Sequence, residues 1–427
     1  MSVDLTKGAT VELVKTLSDD IRTQVDGTKG KSAGQVVRNL ENSVKVLAKY
    51  HTDEMSFTDI QKVVKDGNAA KFFSIGDQIV TTWSDGTTSY ECPFDVVAFR
   101  DVELENGNTV PAMLLQMHWC TKDSIQFDGN EAFYHGAMSA GTYHFTMGNS
   151  WGSNIVANKV YQFTLTQNVP SDGMVVLGTA TSATGALPDT APANWRVRSY
   201  ASADATTPME IVTLSEGSSG TDLGTLSSNT KYGDTGLNNM QRSAYGYNRW
   251  SQSAVRQYLN SSAAAGAWWS QKNPYDHAPD QINSVRGFMA GFPTEFLDVL
   301  NPIKVVTALN TTSDSQIGSS EITVDTFFLA SLEEEYCVPQ IAGIEGDYFP
   351  YWKERLGLDS PQASGTDNAN PNHIRYAINA HTSAQHCRLR SALRGSASHA
   401  WYVNLTGYVS YTNAPTVSRL SPVCAIC

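Results

Sequence analysis

Apolar positions recur at helical spacing near the start of the chain and at alternate positions further on. Leu13, Val14, Leu17, Ile21 and Val25 fall at i, i+1, i+4, i+8 and i+12, and Val36, Val37, Leu40, Val44 and Leu47 nearly repeat that stripe after Gly27–Gly34. A third stretch, Phe57, Ile60, Val63 and Val64, follows the natural cap Ser56 and stops at Gly67. Each helix carries one apolar stripe and little else to bury it against. Residues 1–72 are therefore expected to form a helical assembly or attachment element, packed on itself or on further copies of the chain.

After Phe72 the period shortens to two. Ile75 to Trp83, Phe94 to Phe99, Arg100 to Glu105 and Ala112 to Trp119 read as strands, with Asn106-Gly107 as a hairpin turn. Residues 136–240 continue in β character with little charge. Tyr161, Phe163 and Leu165 alternate with Gln162 and Thr164, Ser171-Asp172-Gly173 marks a turn, and Met174 to Leu177 is the expected return strand. The stretches 181–194 and 215–239 are Gly/Ser/Thr/Asn-rich loops.

Helical signals return at Trp250 to Asn260, where Ser251 is the expected N-cap and Val255, Tyr258 and Leu259 the buried face. Thr294 is expected to cap a second helix over Phe296, Leu297 and Leu300, which must end before Pro302. Val324 to Ala330 is an apolar strand run, 357–371 a loop, and the terminal section a series of short strands and polar turns.

Charge adds a second layer. The 427 residues hold 30 Lys and Arg against 42 Asp and Glu, a net −12 that argues against general affinity for nucleic acid or an anionic membrane. The last 60 residues, by contrast, contain five arginines (375, 388, 390, 394 and 419), no lysine and no acid. An acid-free segment rich in Tyr, Ser, His, Asn and Thr has the composition of a recognition surface. No run approaches 18 apolar residues, so membrane insertion is not expected. The N-terminus lacks a basic region followed by an apolar one, and synthesis in a cytoplasm is expected. Six scattered cysteines suggest neither a disulfide framework nor a zinc cage.

Motifs for catalysis are weak. Gly27 to Ser32 ends like a phosphate loop, but Val25 stands where the first Gly belongs and no strand precedes it. Gly148-Asn149-Ser150-Trp151-Gly152 has the spacing of a nucleophile elbow, yet β signals rather than a helix follow. His381, His386 and Cys387 lack a second half-site for zinc, and alternating acids of a calcium loop are absent. Glu333-Glu334-Glu335 spreads its side chains in different directions. The aromatics Trp268, Trp269, Tyr348, Phe349, Tyr351 and Trp352 read as loop anchors more than as a sugar platform. No catalytic residue, metal or cofactor is expected.

Four motifs in order carry a resemblance: Trp250 to Asn260 with Arg256 and Tyr258; Asp325 to Glu334; Arg388-Leu389-Arg390-Ser391; and Ala400-Trp401-Tyr402-Val403-Asn404 running through Gly407 to Pro422 and Ile426. The arrangement resembles phage and gut-bacterial proteins of unassigned function with C-type-lectin-like folds. It also resembles the variable proteins of diversity-generating retroelements, among them the major tropism determinant of phage tails. The resemblance covers about residues 240–427 and the strands of 73–135. Adenine-directed mutagenesis of Asn codons with a final pyrimidine cannot yield Lys, Glu, Gln, Met or Trp, and residues 394–399 and 408–413 contain none of these.

The resemblance implies an α+β protein. Residues 1–72 form the helical element, 73–135 the first part of a C-type-lectin-like domain, 136–240 an all-β insertion and 241–427 the C-terminal ligand-binding part. The implied function is a phage or prophage virion protein, non-enzymatic, that binds a host-cell surface glycan or protein through a C-terminal and hypervariable face. Other virion proteins and further copies of the chain, in a trimer for example, are the remaining expected partners. Tyr376, His381, His386, Arg394, His399, Tyr402, Tyr408 and Tyr411 are the contact candidates, since Tyr, His and Arg give large or charge-assisted contacts at small entropic cost. Tyr402, Tyr408 and Tyr411 are expected on one exposed face, with Trp401, Val403 and Val409 pointing inward. Arg390 and Trp401 are assigned to the scaffold, Arg390 with Asp325 or Glu334 as its carboxylate. Two alternatives are a structural head or tail decoration protein without a receptor, and a sulfatase-modifying type of oxidase using Cys387 and Cys424.

A chain starting at Lys71 should form a smaller oligomer than the full-length protein in light scattering. An unchanged assembly state would place oligomerisation in the later residues.

Overall fold

The structure is a computed structural model that describes residues 55–149, 157–179, 195–233 and 236–427. The helices expected at 13–25 and 36–47, the Gly27–Ser32 loop, Ser150 to Gly152 and the 181–194 loop lie outside the described residues. The chain divides into two compact units, Met1–Ser74 and Ile75–Cys427. In the first, Ser56 caps the helix Phe57–Lys65 by a reciprocal box with Asp59, and the helix ends before Gly67, which adopts φ +68°.

In the second unit a five-stranded antiparallel sheet is built in the order Gln78–Ser84, Ser89–Glu103, Thr109–Met117, Pro422–Ile426 and Phe327–Leu329. Ser89–Glu103 is one strand of 15 residues where two were expected. A bulge between Val96 and Ala98 keeps it continuous, and Phe94 through Ala98 are buried on both faces. A second five-stranded sheet follows the order Val409–Asn413, His399–Val403, Cys387–Ala392, Val417–Leu420 and Ile125–Gln126. The end of the chain thus feeds both sheets.

Residues 133–244 enclose a core of their own. Phe133, Phe145, Tyr161, Phe163, Leu165, Trp195, Val197 and Leu226 belong to one buried cluster, contributed by two four-stranded sheets. Val160–Leu165 pairs with Gly141–Met147, whereas Met174–Thr179 pairs with Trp195–Tyr200 in the other sheet. The expected hairpin across Gly173 is therefore a crossing between sheets. Val160–Leu165 buries alternate residues, whereas Met174 to Leu177 are buried in succession, with Val175 and Leu177 in the shared cluster and Met174 and Val176 in a second one with Tyr200, so the two sheets cover each other through one face of each.

The α+β expectation is overturned: strand accounts for 37% and helix for 14% of the structure, a β-rich fold of several small sheets. The helical periodicity around Trp250 yields a 3₁₀ turn, Trp250–Gln252, and a six-residue helix, Ala254–Leu259, capped by Ser253. Ser251 is not the cap because its hydroxyl donates to Glu321 at 2.8 Å. Around Thr294 the helix is four residues long and starts after Pro293. The apolar run 324–330 is split between sheets at Thr326, where Asn260 Oδ1 accepts the N–H groups of Thr326 and Phe327 at 2.8 and 3.0 Å.

Buried polar ties join these small sheets. Asp325 accepts from Arg256 Nε at 2.6 Å and from Trp250 Nε1 at 3.0 Å, which fixes the Trp250 to Asn260 motif on the strand Ser320–Asp325. Arg390, 1% exposed, pairs with Glu334 and donates to the carbonyls of Leu329, Val306 and Glu345. One side chain thereby bridges the second sheet, the last strand of the first, and the Ile303–Ala308 hairpin.

Arg390→Ala should lower the unfolding free energy by about 3–5 kcal/mol, because it leaves Glu334 and several carbonyls without their donor. Arg390→Lys should recover little, since an ammonium cannot reproduce the fork. Urea midpoints measure both, and a loss below about 1 kcal/mol for Arg390→Ala would refute the tie.

Candidate functional site

Side chains on a strand alternate between faces, and this decides what the C-terminal sheet can present. Trp401 lies directly opposite Tyr411, Val403 opposite Val409, and Tyr402 opposite Ser410. Trp401, Val403 and Val409 are buried as expected. Tyr411, however, is two residues from Val409 and so shares the face of Trp401, not that of Tyr402. The three tyrosines expected on one surface are divided. Tyr402 is half-buried and meets the His386 ring at 5.3 Å, while Tyr408 is half-buried at the turn closed by Asn404.

Tyr411 is 48% exposed, with its ring edge-on to Trp401 at 5.3 Å and to His399 at 5.5 Å. Tyr245 extends the group, 6.4 Å from His399. Ser396 Oγ lies 2.8 Å from His399 Nδ1 and positions the imidazole. Burial, with the nearby Arg388 charge, holds His399 below the usual histidine range. The remaining candidates stand apart. His381 stacks on Trp119 at 4.2 Å, and Tyr376 is half-buried on the strand Arg375–Ala377. Arg394 donates to the carbonyls of Leu309 and Ser319.

The +5 charge of the terminal segment is not displayed as a surface field. Arg375 donates to the carbonyls of Met117 and His118, and Arg388 to those of Ala400, Thr412, Asn413 and Thr416. Arg419 donates to Thr121 and Lys122, and Arg390 and Arg394 act as described above. All five arginines serve main-chain oxygens. Burial lowers Arg388 to about 10, which still leaves it protonated at neutral pH.

A separate cleft of about 310 Å³ is lined by Lys231, Tyr232, Asn238, Arg242, Asn273 and Tyr275 among others. Its polar floor is closed on itself. Glu131 accepts from Arg242 Nε and Nη2 at 2.6 and 2.8 Å, from Asn238 at 2.8 Å and from Asn273 at 3.0 Å. Tyr247 lies under the Arg242 guanidinium at 3.8 Å. Nothing in the sequence points to this site, because Glu131, Arg242 and Asn273 are held together only by the fold.

Other sequence features take structural roles. Trp268, Trp269, Phe349, Tyr351 and Trp352 are buried, and only Tyr348 of that group is exposed. Glu334 and Glu335 diverge, the first to Arg390 and Arg100 and the second to His373 at 3.0 Å. Cys387 and Cys424 do not face each other: the Cys387 thiol interacts with Cys120, and Cys424 is near Cys92. All six thiols are buried and unbridged, and burial raises Cys92 and Cys424 far above the ordinary thiol range.

No curated protein and no solved structure matches the chain. Residues 226–425 are similar to one family, described as a domain of unknown function (DUF6273), which spans the Trp250 motif, the Arg390–Glu334 tie and the Tyr411 patch.

Proposed function

We propose that the protein is a non-enzymatic binding protein of a phage or prophage particle that attaches to a host-cell surface ligand through the patch formed by Tyr245, His399, Trp401 and Tyr411. The observation that carries this reading is the exposed Tyr411, held edge-on between Trp401 and His399. An aromatic ring already fixed by its neighbours contributes large contact area at small entropic cost. The virion setting rests on the resemblance in the four motifs. Because the five terminal arginines are engaged with carbonyls, the patch offers aromatic faces and hydroxyl groups instead of positive charge. That chemistry suits a neutral saccharide better than an anionic ligand. Display in several copies would multiply weak contacts.

Replacing Tyr411 and His399 together by Ala should lower host-cell attachment by roughly tenfold or more while shifting the melting temperature little. Intact attachment with intact folding would move binding elsewhere or favour the decoration role. Attachment should also be flat between pH 6.5 and 8. Burial, followed by the Arg388 charge, lowers His399 from its ordinary value, so the neutral imidazole predominates across that window. A loss of attachment as pH rises through 6.5 would show that a charged His399 makes the contact.

A further inference from the structure

The cleft above Glu131 has walls that are fixed by the protein itself. Tyr232 forms one: its N–H donates to Ser313 O at 2.8 Å, its hydroxyl accepts from Gln252 Nε2 at 2.9 Å, and the Arg249 guanidinium lies 4.6 Å from its ring. Tyr275 forms another, with its N–H on Asn273 Oδ1 at 2.9 Å and its hydroxyl donating to Gly236 O, which joins two segments of the rim. Pro274 adds to the apolar lining. The volume of about 310 Å³ stands at the lower end of the roughly 300–1,000 Å³ of small-molecule sites.

Most polar groups of the floor are already spent. Asn238 Nδ2 gives its two protons to Glu131 and to Ala132 O at 2.8 and 3.0 Å, and Asn273 Nδ2 gives its two to Glu131 and Gln252 at 3.0 and 2.8 Å. Arg242 is the exception. It is 2% exposed and commits Nε and Nη2 to Glu131, but Nη1 makes no hydrogen bond among the described residues and is not sealed by protein atoms, so its N–H groups open into the cleft that Arg242 lines. A charged donor so placed favours an acceptor, most of all an anionic one. Lys231 adds a second positive charge at the exposed rim, and among the described residues no Asp or Glu lines the cleft. Burial raises the nearby Asp276 well above the carboxylate range, so it opposes an anion little.

We propose that this cleft binds a small aromatic monocarboxylate, its flat body against Tyr232 and Tyr275 and one carboxylate oxygen accepting from Arg242 Nη1. Two of the three guanidinium nitrogens are held by Glu131, so Arg242 cannot offer a ligand the two-pronged grip of a free arginine. A single donor nitrogen suits one carboxylate oxygen, whereas a phosphate dianion needs more donors than the cleft supplies. The tyrosines favour a flat ring, which they can meet stacked or edge-on. Walls already tied to the protein lose little freedom when such a body enters. The site is distinct from the Tyr411 patch, although the helix Met240–Tyr245 supports both, with Arg242 in the floor of the cleft and Tyr245 beside His399.

The test is calorimetric titration of the full-length protein with benzoate, with benzamide as the neutral isostere and inorganic phosphate as the competing anion. Benzoate should bind once per chain with a dissociation constant on the order of 1 mM, about tenfold tighter than benzamide, and phosphate should show no saturable binding. Tyr275→Ala should weaken benzoate by roughly tenfold. Lys231→Gln should weaken it by about threefold and leave benzamide unchanged. Arg242→Lys should abolish the preference for benzoate over benzamide; should that variant fail to fold, the wild-type preference and the two rim variants decide. Equal binding of benzoate and benzamide, saturable phosphate binding in place of benzoate, or benzoate affinity untouched in both rim variants would overturn the proposal.

Discussion

Buried guanidinium groups donating to main-chain carbonyls hold this protein together. Most strands are short, and several are two to four residues long, so ladders leave many carbonyl oxygens without partners. An arginine presents five donors in a rigid fork and can serve several such oxygens at once. Arg388 serves four and Arg390 three, both at 1% exposure. Arg390 also carries a carboxylate partner, whereas burial is the leading influence on Arg388, which has none in contact. The chain accepts that desolvation because the alternative is a cluster of unsatisfied carbonyls around the last sheet.

The same constraint explains where charge is missing from the surface. A segment with five arginines and no acid reads in sequence as a positive face, yet its cations are consumed internally. Its exposed side chains include Tyr411, His381 and His386, and Tyr411 is supported from behind by Trp401 and the small core of Leu332, Leu389, Val403 and Val409. Tyr411 thus stands on a fixed aromatic scaffold, and burial holds the thiols of Cys92 and Cys424 far above the ordinary thiol range.

The β insertion is tied to the rest by polar groups of a different kind. Glu131 gathers Arg242, Asn238 and Asn273 in one buried network. Asn273 also donates to Gln252 at 2.8 Å, which reaches the 3₁₀ turn of the Trp250 motif. The insertion is thus joined through specific hydrogen bonds to the segment that carries the family match.

The sequence by itself determined local facts: the Ser56–Asp59 cap, the Asn106-Gly107 turn, the alternating burial of Tyr161, Phe163 and Leu165, and the need of Arg390 for a carboxylate. Each depends on residues close in the chain or on a cost attached to one residue type. Tertiary structure decided the rest. Ser251 lost its capping role to Glu321, 70 positions away, and the strand after Gly173 joined another sheet because both sheets had an apolar face to cover. Tyr411 fell on the face of Trp401 through strand register, and Glu131 met Arg242, 111 positions away, through the packing of the chain, so no spacing in the sequence could signal either. Periodicity reports which side of an element is apolar, but the partner of that side is a long-range choice that only the packed chain makes.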